Sequence, residues 1–323
     1  MPKGGAVMSR NFHSMFADDI RGMVEHKKAL GHKAESYEWN MQNFDRYCMK
    51  FFPEVDVLAE EIVLGWCEAG KEFRKSAYRA NAIREFGRYL SSIGKSAYVL
   101  PREFFPPKRA ELPHLFTDDE LVRFFDAADH FPHYARSPLA EYIVPVIFRL
   151  QYACGLRPQE ARLLRRADFD FRRNTIYVSE SKWCRDRCLS INPELMQLCR
   201  RYDVIAQGLV PDRAYFFPSP SGNAYSHGWL TAVFHKCWAM SGNAIPTGIC
   251  TPYTFRHNFA TRTLMRWAEE GKDFGAYLPY LSAYMGHASF HSSYYYVHLL
   301  PEKLGNAGFM DTHGIIPEVA YEE

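Results

Sequence analysis

Apolar residues recur at helical spacing through the first third of the chain. Two segments between about residues 14 and 95, ESYEWNMQNFDRYCMKFF and KEFRKSAYRANAIREFGRYLSSIG, place apolar side chains three and four positions apart, which predicts amphipathic helices. In the second segment this stripe consists of Ala80, Ile83, Gly87 and Leu90. Arg84 and Arg88 fall on another face, and we interpret them as part of a solvated surface.

A proline-rich stretch then interrupts the helical pattern. VLPREFFPPKRAELPHLF contains four prolines between residues 101 and 113, which neither a helix interior nor a central strand tolerates. We therefore predict a helical domain over residues 1–105, a linker over 106–115, a second domain over 116–300 and a C-terminal tail over 301–323.

The second domain opens with a helix-start signal. In FTDDELVRFFDAAD, Thr117 precedes Glu120 by three residues, the spacing of a capping box, and Phe116 and Leu121 can close a hydrophobic staple around it. The apolar segment EYIVPVIFRLQYACG predicts a further helix that ends at Gly155.

A change of periodicity follows. Pro158 can begin another helix, PQEARLLRRA. The next segment, FDFRRNTIYVSESKWCRDRCLSI, alternates apolar and polar residues, which predicts a two- or three-stranded antiparallel meander. Helix signals resume at Pro193. The predicted fold class is mainly α with a small antiparallel β-sheet.

Composition is that of an ordinary globular protein. The 323 residues are 47% hydrophobic and 24% charged. No run of about 18 apolar residues exists, and MPKGGAVMSRNF lacks the apolar core of a secretion signal, so we expect a cytoplasmic protein. The eight cysteines include no CxxC pair, which argues against a disulfide framework or a thiolate zinc site. A net charge of +2 means that any basic surface for nucleic acid must be local.

Two segments carry arginines beside other polar groups. In YACGLRPQEARLL, Arg157 follows a glycine turn and Glu160 comes one turn later. In TPYTFRHNFATRTL, Arg256 is accompanied by His257 and, three residues earlier, by Tyr253. Taken alone, Arg157 and Glu160 could form a surface ion pair worth under about 1 kcal/mol.

A third segment, LSAYMGHASFHSSYYYVHLL, contains three consecutive tyrosines. His287 precedes Tyr296 by nine residues and His298 by eleven. On a helix, Tyr295 points about 100° and Tyr294 about 200° away from Tyr296. Only one of the three phenols can therefore face a given site, while the others pack or stay exposed.

In this order, the segments resemble the tyrosine recombinase (phage integrase) family, in its simple two-domain type as in transposon integrases and Xer-like recombinases. The family's catalytic domain carries an Arg in GLRxxE, a Lys in a β-hairpin five residues before an Arg, an HxxR box, a GH pair and a nucleophilic Tyr nine residues after that His. Here GLRPQE, SKWCRDR, YTFR, MGH and the tyrosine run match, over about residues 114–300. The matching residues are Arg157, Glu160, Lys182, Arg187, Arg256, His287 and Tyr296.

The resemblance implies a role for each matching residue. Arg157 and Arg256 would neutralise the non-bridging oxygens of a phosphodiester, for which planar guanidinium forks are suited. Tyr296 would attack to form a 3′-phosphotyrosyl link, and Lys182 would protonate the leaving 5′ oxygen. His287 would hydrogen-bond the phosphate or handle the tyrosine proton.

The first residue of the HxxR box departs from the family pattern, because it is Tyr253. A phenol can donate one hydrogen bond to a phosphate oxygen, but with a pKa near 10 it is neither a cation nor a base at neutral pH. Glu160 and His298 are expected to support the site. We interpret His257 as structural, pointing away from the site.

The resemblance also implies DNA and subunit partners, and it implies that no cofactor or metal is needed. It implies a helical core-binding domain before the catalytic domain, double-stranded DNA core sites, a homodimer on each site and a homotetramer in the synaptic complex, with no cofactor and no metal. The spacing of His287 and His291 could suit zinc, but no third ligand accompanies them. A type IB topoisomerase and a DNA-binding regulator that does not cut remain the alternative functions. The acidic tail is either a loosely ordered terminus or a segment that docks on a neighbouring subunit.

Overall fold

The chain forms two compact units, Met1–Ala110 and Glu111–Glu323. The structure is a computed structural model that describes residues 11–31, 35–69, 73–104, 111–179, 186–287 and 291–297. Lys182, His298 and the tail 301–323, all named by the sequence analysis, lie outside the described residues.

The predicted fold class, mainly α with a small antiparallel sheet, is confirmed. The helices of the first unit are α1 Ala17–Ala29, α2 Glu35–Phe51, α3 Glu60–Glu68 and α4 Phe73–Ser92. Those of the second unit are α5 Asp118–Asp129, α6 Ala140–Cys154, α7 Pro158–Leu163, α8 Pro193–Leu209, α9 His227–Met240, α10 Thr254–Glu269, α11 Phe274–Met285 and α12 His291–Val297. The strands are β1 Phe169–Asp170, β2 Thr175–Val178 and β3 Arg187–Ser190. No helix in these described ranges is both long and apolar enough to cross a membrane.

The predicted stripe of α4 is buried in the core of the first unit. Aromatic rings fill the space between α2, α3 and α4, with the Phe44 ring 5.3 Å from the Trp66 ring and 5.9 Å from the Phe86 ring. Aromatic burial on this scale dominates the stability of a small core, so helical spacing alone identified the packing face.

The interpretation of Arg84 as a solvated residue is wrong, although Arg88 is exposed. Arg84 is 8% exposed, and its Nε and Nη2 donate to the main-chain oxygens of Leu100 and Pro101, both at 2.8 Å. The chain after α4 returns along this face and brings the buried Leu100 carbonyl, which needs a hydrogen-bond donor. The guanidinium supplies that donor and also bonds the Pro101 carbonyl, which accepts from the Phe104 N–H as well.

The capping box of the second unit forms as predicted. The Thr117 hydroxyl accepts from the Glu120 N–H at 3.2 Å, and the Glu120 carboxylate accepts from the Thr117 N–H at 2.9 Å. Phe116 and Leu121, the two residues of the predicted staple, are both buried in the main core of this unit. The start of α5 is therefore set by local sequence.

Helices α5, α6, α9 and α10 enclose the main core of the second unit. One aromatic residue from each meets in its centre, with the Phe124 ring 5.4 Å from Phe148, 5.2 Å from Phe234 and 5.2 Å from Phe255. Because Phe255 lies in the first turn of α10, this packing fixes the start of the helix that carries Arg256.

The predicted meander is a three-stranded antiparallel sheet of order β1-β2-β3. Ile176 on β2 pairs with Leu189 on β3, and both face the core. Helix α7 is shorter than predicted, because the chain turns to an extended conformation at Leu164. The connection between β2 and β3, which carries Lys182, falls largely outside the described residues.

Candidate active site

Two helices of the second unit end in a left-handed glycine, each just before a predicted site residue. Helix α6 ends at Gly155 (φ +58°) and α11 at Gly286 (φ +64°). Other residues adopt this conformation at a cost of roughly 1–2 kcal/mol. The turn after α6 leads to Arg157, and the turn after α11 leads to His287. The two turns meet, since Arg157 Nη2 donates to the Gly286 oxygen at 2.7 Å.

Arg256 joins the same two helix ends from α10. Its side chain is fully buried, with Nη1 donating to the Gly155 oxygen and Nη2 to the Met285 oxygen, both at 2.7 Å. Carbonyls at helix C-termini carry partial negative charge, which favours a cation there. The Nε–H has no hydrogen-bond partner among the described residues. This buried donor is left for a ligand oxygen or the neighbouring phenol.

Glu160 lies between two arginines. Its carboxylate accepts from Arg157 Nη1 at 2.6 Å and from the Arg157 N–H at 2.9 Å. It also accepts from both terminal nitrogens of Arg187, at 3.1 and 2.9 Å. Burial raises the pKa of Glu160, but the bonds and charge of Arg187, followed by those of Arg157, outweigh burial and hold this pKa below its usual range. A buried cluster has formed here rather than a surface ion pair.

The three tyrosines of α12 differ sharply in exposure. Tyr294 is 44% exposed and Tyr295 38% exposed, whereas Tyr296 is 3% exposed. Burial raises the pKa of Tyr296 to about 12, against the lowering effect of the adjacent Arg256 guanidinium. Of the three phenols, Tyr296 is the one held beside the arginines.

His287 stacks on that phenol. The two rings are 5.9 Å apart and inclined by 13°, and His287 Nδ1 is 2.8 Å from the Ser293 hydroxyl. Burial, followed by the charges of Arg256 and Arg157, lowers the pKa of His287 to about 3. His287 is therefore a neutral imidazole at neutral pH.

The expectation that His257 points away from the site is wrong. Its ring lies 5.6 Å from the Tyr296 ring, 5.9 Å from Tyr295 and 5.1 Å from Tyr253. Helix α12 packs across the face of α10 that bears His257, and nothing in the local pattern shows which element covers that face. Burial, followed by the charge of Arg256, lowers the pKa of His257 to about 4. Tyr253, at the start of α10, remains partly exposed.

Arg187 also lies in this cluster, although the family resemblance gave it no role beyond its spacing from Lys182. It lies at the start of β3, and its Nε donates to the Tyr284 oxygen at 2.7 Å. Its position five residues after Lys182 was the one available signal. The structure brings together Arg157, Glu160, Arg187, Tyr253, Arg256, His257, His287 and Tyr296. Within the described ranges, no group of three or more His, Cys, Asp or Glu side chains could hold a metal ion.

This arrangement suits an anion. The guanidiniums of Arg157, Arg187 and Arg256 outnumber the single carboxylate of Glu160, and two neutral imidazoles and one buried phenol lie beside them. Preorganised donors of this kind stabilise charge that develops in a transition state. The Tyr296 phenol beside Arg256 is a group that can act as a nucleophile.

Comparison with known proteins identifies relatives over most of the chain. Residues 114–303 match the model of the phage integrase family. A protein of Sinorhizobium fredii (strain NBRC 101917 / NGR234), named as an integrase/recombinase (y4rB), is 28% identical over 307 residues, which cover 91% of this chain and 96% of that protein.

Two solved structures share the fold. The Tn1549 transposon integrase in complex with transposon right end DNA superposes with a TM-score of 0.62 at 15% identity, covering 90% of this chain and 97% of that one. A lambda integrase tetramer bound to a Holliday junction superposes with a TM-score of 0.56 at 14% identity, covering 92% and 80%. At these identities the likeness concerns the fold alone.

Proposed function

Because this chain belongs to the phage integrase family, we propose that it is a site-specific DNA recombinase. It cleaves and rejoins DNA through a 3′-phosphotyrosyl intermediate and exchanges strands between two DNA sites. The observation that carries the proposal is the burial of one phenol of three, that of Tyr296, against the Arg256 guanidinium.

The reaction begins with the oxygen of Tyr296. This oxygen attacks the scissile phosphorus, the bond from phosphorus to the 5′ oxygen breaks, and Lys182 gives a proton to that leaving oxygen. Arg157 and Arg256 stabilise the charge on the non-bridging oxygens, and losing one such donor costs on the order of 3 kcal/mol. The energy of the phosphodiester is kept in the tyrosyl link, so the 5′-hydroxyl of another strand can rejoin DNA without ATP.

His287 assists as a neutral imidazole. A Ser293 hydroxyl that donates to Nδ1 leaves the ring proton on Nε2, where it is available to a phosphate oxygen. Its stacking on Tyr296 supports a part for His287 in handling the tyrosine proton. Glu160 supports the site by holding Arg157 at two points, and His298 supports the nucleophile from two residues away.

Tyr253 takes the position where the family pattern has histidine. Its hydroxyl donates one hydrogen bond to the phosphate without adding charge. We expect the enzyme to be active but slower than relatives with histidine at this position. Tyr253→His should therefore raise the single-turnover cleavage rate, and an unchanged rate would show that position 253 does not contact the phosphate.

Covalent trapping tests the proposal. The protein is incubated with a nicked suicide substrate, from which the short cleaved strand diffuses away, and the protein–DNA adduct is resolved on a denaturing gel. Tyr296→Phe should abolish the adduct, whereas Tyr294→Phe and Tyr295→Phe, which remove neighbouring exposed hydroxyls, should not. An adduct with Tyr296→Phe would mean that another residue is the nucleophile, and none with the unaltered protein would favour a DNA-binding regulator.

Recombination assays separate strand exchange from topoisomerase action. A recombinase joins strands of two different sites in an assembly of several subunits, whereas a type IB topoisomerase reseals the same strand as a monomer. We propose a homodimer on each double-stranded core site and a homotetramer in the synapse, acting in the cytoplasm at the nucleoid, in integration or transposition of a mobile element. The fold shared with the lambda integrase tetramer supports this assembly.

The tail over residues 301–323 has one lysine and five acidic residues. We propose that its apolar piece, GIIPEVAY, docks on a neighbouring subunit. Deleting residues 305–323 should then weaken assembly on two sites more than binding to one site. Equal loss of both would contradict docking.

Binding to DNA should weaken steeply as salt rises, because the release of counterions from DNA dominates the affinity.

A further inference from the structure

Arg187 connects three segments that are far apart in the sequence. From the start of β3 it reaches the Tyr284 oxygen near the end of α11 with Nε and forms a two-pronged pair with Glu160 on α7. Its Nη1 is also 2.9 Å from the position that a Cβ on Gly286 would occupy. Of these neighbours, Glu160 and Gly286 both hold Arg157.

The charge of this cluster matters as much as its geometry. Glu160 and Arg157 alone would form a neutral pair, joined at 2.6 Å. The negative charge of Glu160 would then largely cancel the positive charge of Arg157 that an approaching phosphate meets. With Arg187 as a second cation, the three side chains carry one net positive charge.

The bonds of the two arginines fit different roles, with Arg187 paired to Glu160 and Arg157 left to meet the phosphate. Arg187 engages both oxygens of Glu160 through its two terminal nitrogens, the fork geometry that makes such pairs strong. The side chain of Arg187 is itself buried, at 8% exposed. Arg157 keeps a further donor on the Gly286 oxygen and is the more exposed of the two arginines.

We propose that Arg187 is a positioning residue that serves as the counterion of Glu160 and so leaves the charge of Arg157 available to the scissile phosphate. The inference rests on the proposed function, because it assigns Arg187 a part in the same cleavage step. Arg187 acts through Glu160 and Arg157 and does not itself contact the DNA.

The test measures single-turnover formation of the covalent adduct on a suicide substrate at saturating DNA. Arg187→Met should slow adduct formation by about 100-fold, the scale of losing one preorganised donor, with little change in the DNA concentration needed for half saturation. Arg149→Met is the matched control, because Arg149 makes a similar fork with Asp129, at 2.6 and 2.8 Å, away from the site. It should cleave at close to the unaltered rate.

A second substitution tests the charge argument directly. In Arg187→Met, the remaining Arg157 and Glu160 pair is neutral, and adding Glu160→Gln restores one net positive charge. The double variant should therefore cleave at least about tenfold faster than Arg187→Met alone, which corresponds to roughly 1.4 kcal/mol. A purely structural role predicts the opposite, since a second buried change would add to the damage.

The substrate offers an independent readout. Replacing one non-bridging oxygen of the scissile phosphate by methyl removes the negative charge that Arg157 meets. On this methylphosphonate, the difference between Arg187→Met and the unaltered protein should shrink by at least tenfold. An undiminished difference, or a double variant no faster than Arg187→Met, would overturn the inference.

The remaining outcomes are also decisive. Thermal unfolding checks each variant, and if Arg187→Met does not fold, Arg187→Lys carries the test. Lys retains the charge but loses the fork, so a loss below about tenfold supports the inference and a loss near 100-fold contradicts it. If the unaltered protein forms a Tyr296-dependent adduct but Arg187→Met matches Arg149→Met, this inference alone fails. If the unaltered protein forms no adduct either, the proposed function fails together with this inference.

Discussion

Acid should destabilise the second unit through His287. The imidazole is buried against Tyr296 and surrounded by the charges of Arg256, Arg157 and Arg187, with Glu160 as the opposing carboxylate. These surroundings lower its pKa to about 3, from about 6.5 in an unfolded chain. The buried site therefore disfavours protonation, while the unfolded chain accepts a proton freely.

The sign and size of the effect follow from proton linkage. Above pH 6.5 the imidazole is neutral in both states, and His287 adds no pH dependence. Between pH 6.5 and about 3, the unfolded state binds a proton that the folded state does not, so stability falls by up to about 1.4 kcal/mol per pH unit. At pH 5 the loss from His287 is on the order of 2 kcal/mol, a large part of the stability of a typical domain.

The assay compares urea unfolding at pH 7.5 and pH 5.0 for the unaltered protein and for His287→Asn. Asparagine does not titrate, and any constant cost of the substitution cancels in the difference between the two pH values. The acid-induced loss should be about 2 kcal/mol smaller in His287→Asn. His227→Asn, at an exposed histidine, should show the unaltered pH dependence. Equal acid-induced losses in His287→Asn and the unaltered protein would refute the reasoning.

Two further predictions concern positions whose conformation or burial carries a cost. Gly155→Ala should lower the free energy of unfolding by more than about 1–2 kcal/mol, because the left-handed backbone is strained for alanine and the new Cβ would lie 2.6 Å from the Phe259 ring. Gly208→Ala is the control, because no atom lies within 4 Å of its Cβ position, and it should not lower the free energy of unfolding. Arg84→Met leaves the buried Leu100 carbonyl without its donor and should cost about 1–3 kcal/mol, whereas Arg88→Met should stay within about 0.5 kcal/mol. Urea unfolding measures all four, and equal effects within either pair would contradict the structural reason given.

Local features of the second unit followed from the sequence. The capping box at Thr117, the end of α6 at Gly155 and the antiparallel meander each depend on residues a few positions apart, and all three formed as predicted. Helical periodicity likewise implied that only one of three consecutive tyrosines could face a site, and Tyr296 alone among them is buried. Short-range rules suffice here because the interacting groups lie within one or two turns of each other.

Long-range features were decided by tertiary structure. Arg84 is buried because the chain returns over α4, His257 contacts Tyr296 because α12 crosses α10, and Arg187 meets Glu160 although 27 residues separate them. Periodicity tells which face of an element a side chain occupies, but not which other element covers that face. That choice depends on how apolar surfaces from distant segments pack together, and only the folded chain makes it.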